Sequence, residues 1–357
     1  MTLLADVLDP AELATVVETG LVRRQRHPSL PLSIYNYTEA CQYTGAWTPV
    51  TLACRGLIVD DAGRVLARPL RKFFNHTEAH APQADGQVRV TDKSDGSLGI
   101  IYHDGTGLAV ATRGSFASDQ AIHATELLNK RYADFVPPTG RTVLVEIIYP
   151  GNRIVVDYAG LDDLVLLGAV DIATGRTYGP EGVPEWPGPV VESFDYPTFA
   201  DALAAPPRDG REGLVVHYLA ADERVKIKYA EYVRLHRLVT GLSARTVWEV
   251  MVNGDGDLDA MIEPLPDEFH PWVRGVAAEL TAIVEAQATA IEAAFAAIVA
   301  ELPDGWGRKE FAAAAVRSEH RGALFSRLDD KDYRPSLWQR VRPEGDRTPH
   351  GTKVTEE

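Results

Sequence analysis

Between about residue 30 and residue 235 the apolar positions come in short runs rich in β-branched residues: Leu57–Val59, Leu98–Tyr102, Leu108–Thr112, Val143–Ile148, Leu164–Ile172 and Leu214–Tyr218. Gly, Asp and Pro punctuate them, which predicts strands joined by short turns and hence largely antiparallel sheets. Asp104-Gly105 and Thr106-Gly107 lie between two such runs and predict a hairpin loop. One helix interrupts the strands over Ser118–Arg131, where Ala121, Ala124, Leu127 and Leu128 recur at helical spacing.

Beyond His236 the period changes. Val276, Leu280, Ile283, Val284, Ile291, Phe295 and Ile298 form an apolar stripe on one long helix over Trp272–Leu302, a pattern that means core packing rather than a cofactor surface. Pro303-Asp304-Gly305 stops that helix, and Arg308–Leu328 predicts another. Pro343–Glu357 is polar and aperiodic, which predicts a disordered tail. The expected architecture is therefore α+β: a domain of antiparallel sheets with flanking helices over residues 1–240, then an all-helical domain over 241–342 and a tail over 343–357. No internal repeat is visible.

Composition narrows the function classes. The 357 residues are 45% apolar and 8% aromatic, an ordinary globular balance. No uninterrupted apolar run reaches the roughly 18 residues of a membrane span, and the N-terminus lacks a basic region followed by a hydrophobic block, so a soluble cytoplasmic protein is expected. Cys41 and Cys54 make no zinc pattern and are expected to be free thiols. A net charge of −15 argues at first against a nucleic-acid partner. Its distribution weakens that objection: residues 151–200 carry 2 basic against 8 acidic side chains and residues 251–300 carry 1 against 9. A local cationic groove on an acidic body follows, with salt-sensitive affinity for polynucleotide.

The candidate chemistry begins at Thr91-Asp92-Lys93-Ser94-Asp95-Gly96-Ser97, where a primary amine sits at a strand edge. Gly96 would allow a ligand close, and Ser94, Asp95 and Ser97 would supply polar contacts. Taken alone, Lys93 reads as a solvated turn residue. Lys226 and Lys228, two apart on a strand, share one face; alone they read as lysines guarding a sheet edge. Glu146 and Glu212 fall in otherwise apolar strands, an expensive place for a carboxylate without a cation or metal beside it. Asp255, Asp257 and Asp259 do not make a calcium loop, because Ala260 and Pro266 replace its glycine and its glutamate.

What changes these readings is order along the chain. Cys54-Arg55-Gly56-Leu57, Arg71-Lys72-Phe73-Phe74-Asn75, Lys93-Ser94-Asp95-Gly96, Arg113-Gly114-Ser115, Val145-Glu146, Arg211-Glu212-Gly213 and Val225-Lys226-Ile227-Lys228 follow one another as in the covalent nucleotidyltransferases. With Tyr35-Asn36-Tyr37, Pro150-Gly151-Asn152-Arg153 and Tyr232, the set resembles the phage RNA ligase 1 family of ATP-dependent tRNA-repair ligases, densely from Tyr35 to His236.

The resemblance implies ATP and magnesium as cofactors and Lys93 as the nucleophile that takes AMP. It implies Lys226 and Lys228 at the α-phosphate, and Glu146 and Glu212 at the ribose, the phosphates and the hydrated metal. Arg55 and Lys72 would bind ATP phosphates and the RNA end, Tyr35 would lie near the pyrophosphate, and Tyr232 would be a further active-site tyrosine. Arg113 stands where that family has a lysine, so the charge is kept and the contact geometry differs. Arg71, if extended, points away from the site. Asp257 alone matches a C-terminal metal-linked aspartate pair.

The implied partners are RNA with 5′-phosphate and 3′-hydroxyl ends, such as a nicked tRNA anticodon loop, and a kinase/phosphatase that heals ends. The implied setting is the cytoplasm of a bacterial or phage-infected cell. The alternatives are a DNA ligase, a GTP-using capping-type enzyme, and a catalytically silent RNA-end-binding module. Helices in place of an OB-fold after Lys228 speak against the first two, and a nucleophile lysine against the third.

Overall fold

A computed structural model describes residues 1–253, 257–265, 269–345, 347–349 and 351–352. The chain forms two compact units, Met1–Val233 and Arg234–Glu357.

In the first unit three sheets form from the runs that alternation predicts. The first has the order Val22–Arg26, Leu32–Tyr37, Arg55–Asp60, Val65–Ala67. The second runs Thr177–Tyr178, Asp163–Asp171, Arg141–Ile148, Ser97–His103, Leu108–Ala111. The third runs Ser193–Phe194, Val88–Asp92, Gly213–Tyr218, Glu223–Lys228, Phe74–Asn75. All pairings are antiparallel except Glu223–Lys228 with Phe74–Asn75. The expected hairpin is present, pairing Ile100 with Ala111 and His103 with Leu108.

Sheet faces explain the cores. Leu32, Ile34, Ile58, Ile100, Tyr102 and Leu144 join the first and second sheets in one cluster. The helix Asp119–Arg131 closes the other face of the second sheet with Ala124, Leu127 and Leu128 against Val143, Val145 and Ile147. Ser118 accepts the Ala121 N–H at its start and Lys130 and Arg131 complement the dipole at its end. Each fully buried leucine there contributes about 1.5–3 kcal/mol.

In the second unit the helix His270–Glu301 is the axis. By length and composition alone it could span a bilayer, but its stripe is used in packing. Val273, Val276 and Leu280 pack with Val247, Trp248 and Phe269, while Val284 and Ile291 pack with Phe311, Leu324 and Leu337. The single helix expected over Arg308–Leu328 is two, Arg308–Ala315 and Arg321–Leu328. Between them Ser318 Oγ accepts the His320 N–H at 3.2 Å, a local bond that competes with the helical ladder. The expected disorder of the tail is also corrected in part: Arg347–Thr348 pairs with Gly351–Thr352, and Arg347 is ion-paired to Glu279 at 2.8 Å. Residues 353–357 lie outside the described residues.

Candidate active site

The register of the third sheet assembles the site. Gly213 lies opposite Lys228, and the Lys93 N–H donates to the Gly213 carbonyl at 2.9 Å, so three neighbouring strands end side by side. Gly213 is required there: its φ is +153°, and a Cβ would stand 2.0 Å from the Ile227 carbonyl oxygen. Glu212, just before that strand rather than inside it, is thereby held between two lysines. Lys93 Nζ lies 2.8 Å from its Oε2 and Lys228 Nζ 2.8 Å from its Oε1, and the side chain is only 3% exposed. Both oxygens are thus engaged by ammonium groups, and Glu212 anchors the nucleophile candidate where an open metal ligand was expected.

Lys226 shares the Lys228 face, as strand alternation predicts, but has no carboxylate partner among the described residues. Its Nζ lies 4.8 Å from the centre of the Phe73 ring. Burial, together with Arg55, Lys93, Lys72 and Lys228, pushes its pKa down to about 6. Between about pH 6 and 10 the unfolded chain therefore binds more protons at this lysine than the folded one, so folded stability rises with pH through that window. Lys226→Met should raise the melting temperature of the first unit by about 4 °C at neutral pH, for a gain of roughly 1–2 kcal/mol. The gain should shrink toward about pH 9.5, and calorimetry at the two pH values checks both statements.

Other cations converge from the first and second sheets. Arg55 opens its strand, and its guanidinium lies 5.5 Å from the Phe73 ring centre. Its Nη1 is buried with no hydrogen-bond partner. Lys72 Nζ sits among three rings, 5.5 Å from Tyr37, 5.5 Å from Trp47 and 5.3 Å from Phe74. Arg113 Nη1 donates to the Tyr37 hydroxyl at 3.0 Å. Tyr37, not Tyr35, is thus the tyrosine of this cluster. Tyr35 packs with Leu8, Val22, Leu57 and Val59, two residues back along the strand where the sheet is still covered by apolar side chains.

On the second sheet Glu146 accepts the Gly96 N–H at 3.1 Å. Burial pushes its carboxyl up to about 7, opposed by Lys93 and Arg55 and reinforced by Glu212 and Asp95. The space above Gly96 belongs to this strand rather than to a ligand, since a Cβ would meet the Ile147 carbonyl oxygen at 2.6 Å. Asp95 and Ser97 are likewise occupied within the fold. Asp95, 3% exposed, accepts the Val155 and Val156 N–H groups at 2.9 Å and the Tyr232 hydroxyl at 2.6 Å. Its own N–H donates to Tyr158 Oη at 2.7 Å, and Ser97 donates to Asn152 Oδ1 at 3.1 Å. Tyr232 therefore pins the loop behind Lys93, with Lys228 Nζ 5.2 Å from its ring centre and its hydroxyl pKa raised by burial.

Asp257 serves as a helix cap in the second unit. Its carboxylate accepts the Ala260 N–H at 2.9 Å as the cap of the helix Leu258–Ile262, and Asp255 lies outside the described residues. Among the described residues no group of three His, Cys, Asp or Glu could hold an ion.

The first unit thus gathers Arg55, Lys72, Lys93, Arg113, Lys226 and Lys228 around two carboxylates. Such a surplus, with a buried guanidinium nitrogen unpaired, fits a polyanionic phosphate ligand. Glu146 and the ligand's own oxygens suit a largely hydrated magnesium, which needs few protein carboxylates.

Comparison with known proteins agrees. Residues 53–183, which carry Arg55, Lys72, Lys93, Arg113 and Glu146, match the family model for RNA ligase. An RNA ligase of Rhodothermus phage RM378 is 22% identical over 84% of this chain and 85% of its own. An uncharacterised protein of Ostreid herpesvirus 1 is 28% identical over 43% of this chain and 39% of its own. Among solved structures, an archaeal ATP-dependent RNA ligase aligns over 92% of this chain and 98% of its own at 14% identity, with a TM-score of 0.44. A Naegleria gruberi RNA ligase mutant bound to ATP and manganese aligns over 43% of this chain, with 19% identity and a TM-score of 0.33; the match spans 52% of the Naegleria chain. Those two structural likenesses are too remote to assign residues. The ordered motifs, the family model over residues 53–183 and the phage relative agree in likening this chain to the RNA ligases.

Proposed function

We propose that the protein seals a 5′-phosphate RNA end to a 3′-hydroxyl end through three nucleotidyl transfers, consuming ATP with a divalent metal, magnesium in the cell. The observation that carries this reading is Lys93 held by Glu212 inside a cluster of cations that the chain's own carboxylates do not neutralise. In the first transfer the Lys93 ammonium gives up a proton to solvent and the resulting amine attacks the α-phosphorus, forming the N–P bond as the bond to pyrophosphate breaks and losing its second proton to water. Lys226 and Lys228 face the charge that develops on phosphorus, while Arg55 and Lys72 hold the phosphates. Lys226, largely neutral before ATP arrives, takes up a proton beside the triphosphate. A metal held through water by Glu146 would neutralise phosphate charge during the transfer. AMP then passes to the RNA 5′-phosphate, and the 3′-hydroxyl displaces it.

The second unit is assigned to substrate choice, since every proposed catalytic residue precedes it. Arg274, Arg308, Arg327, Arg334 and Arg347 are already ion-paired within the unit, with Asp259, Asp329, Glu292, Glu285 and Glu279, so any RNA contact falls to others such as Arg317, Arg321 and Arg340. The finer reading is repair of a broken tRNA anticodon loop, after a kinase and phosphatase have prepared its ends, in the cytoplasm of a bacterial or phage-infected cell. It rests on the family resemblance.

The test is end joining. The purified chain with ATP and magnesium should convert a 5′-phosphorylated oligoribonucleotide into phosphatase-resistant circles or joined products. GTP in place of ATP, or an oligodeoxyribonucleotide in place of RNA, should give little product. Joining of DNA alone, or with GTP alone, would favour the ligase or capping-type alternatives.

A further inference from the structure

Beside the cation cluster lies a cleft of about 480 Å³ that the proposed chemistry does not use. Arg68, Arg71, Lys72, Arg176 and Arg224 line it against Asp222 and Glu223, a positive surplus on a chain whose net charge is −15. Phe73, whose ring contacts Arg55 and Lys226, and Lys72 belong to both the cleft and the site. Two of the arginines serve the fold. Arg68 Nη1 donates to the carbonyls of Ile172 and Ala173 at 3.2 Å, and Arg224 Nη1 donates to Thr177 Oγ1 at 2.6 Å. Arg71 and Arg176 are different: both are exposed, and neither has a carboxylate partner among the described residues. The exposed His80 ring also lines the cleft and leans on Phe74 at 5.3 Å between centroids.

We propose that this cleft is the path of the single-stranded RNA adjoining the end to be sealed, with backbone phosphates on Arg71 and Arg176 and bases stacked on His80 and Phe73. Guanidinium groups without carboxylate partners, together with aromatic faces, are what a single-stranded nucleic acid requires of a groove; Arg176 lies 5.7 Å from the Tyr178 ring centre. The shared wall at Lys72 and Phe73 leads the strand's end to Lys93. The proposal deepens the RNA-ligase reading and rests on it. It also reverses the expectation that Arg71 stands away from function.

The test compares the full chain with Arg71→Ala/Arg176→Ala and with Arg71→Lys/Arg176→Lys. A fluorescent 5′-phosphorylated single-stranded oligoribonucleotide is titrated at several salt concentrations, and covalent labelling by ATP is timed in parallel. The alanine variant should form lysyl-AMP at the wild-type rate, which also shows that it is folded. It should bind the RNA about tenfold more weakly, with the salt slope reduced by about 1.4 for two lost phosphate contacts. The lysine variant should keep the slope. RNA affinity and slope unchanged in the alanine variant would overturn the cleft assignment, as would loss of adenylylation together with binding, or a wild type that labels normally and binds no RNA. A wild type that forms no lysyl-AMP would instead be a failure of the ligase reading itself.

Discussion

Replacing Lys93 with alanine should abolish covalent AMP labelling and reduce ATP-dependent sealing by on the order of a millionfold, the scale on which loss of a covalent nucleophile acts. Alanine also strips Glu212 of one of its two partners, so Lys93→Arg is the sharper variant. A guanidinium can still pair with the buried carboxylate and support the fold, yet it keeps its proton and cannot attack phosphorus. Both variants should therefore be inactive, with the arginine variant melting closer to wild type. An active Lys93→Arg enzyme would rule out nucleophilic attack by this residue.

Alanine at Lys226 or Lys228 should slow lysyl-AMP formation by about a hundredfold or more, because each removes a cation facing the transition-state charge. Their stabilities should diverge. Lys226 has no carboxylate partner among the described residues and is crowded by four other cations, so its loss should leave the melting temperature unchanged or raised. Lys228 holds Glu212 Oε1, so its loss should lower it. Rapid-quench labelling and calorimetry on the two variants check both halves, and equal wild-type labelling rates would remove the strand Glu223–Lys228 from the chemistry.

Much of this was legible from periodicity and motif order. Alternation placed Lys226 and Lys228 on one face, the helical spacing of Ala121, Ala124, Leu127 and Leu128 marked their helix to within a residue, and the change of period after His236 separated the helical part of the chain. What a one-dimensional pattern lacks is the partner of each charge. Glu212 was recognisable as an expensive carboxylate, but that both its oxygens are taken by lysines follows from the register of three strands distant in sequence. Tyr35 and Tyr37 alternate onto the same face and differ only in how far the apolar cover of the sheet extends, which no local signal reports. Asp95 looked like a ligand contact because it adjoins Gly96; its bonds to Val155, Val156 and Tyr232 come from segments 60 to 137 residues away. Arg327 and Arg334 of the second unit are paired with Glu292 and Glu285, a helix away, partners that no local pattern reports.

The central claim is that Lys93, held by Glu212 among phosphate-binding cations, becomes covalently joined to AMP. Incubating the purified chain with ATP and magnesium, digesting it and sequencing the AMP-bearing peptide by mass spectrometry tests it most directly. The account predicts one adduct, on Lys93, released by excess pyrophosphate with regeneration of ATP; no adduct, or an adduct on any other residue, would contradict it.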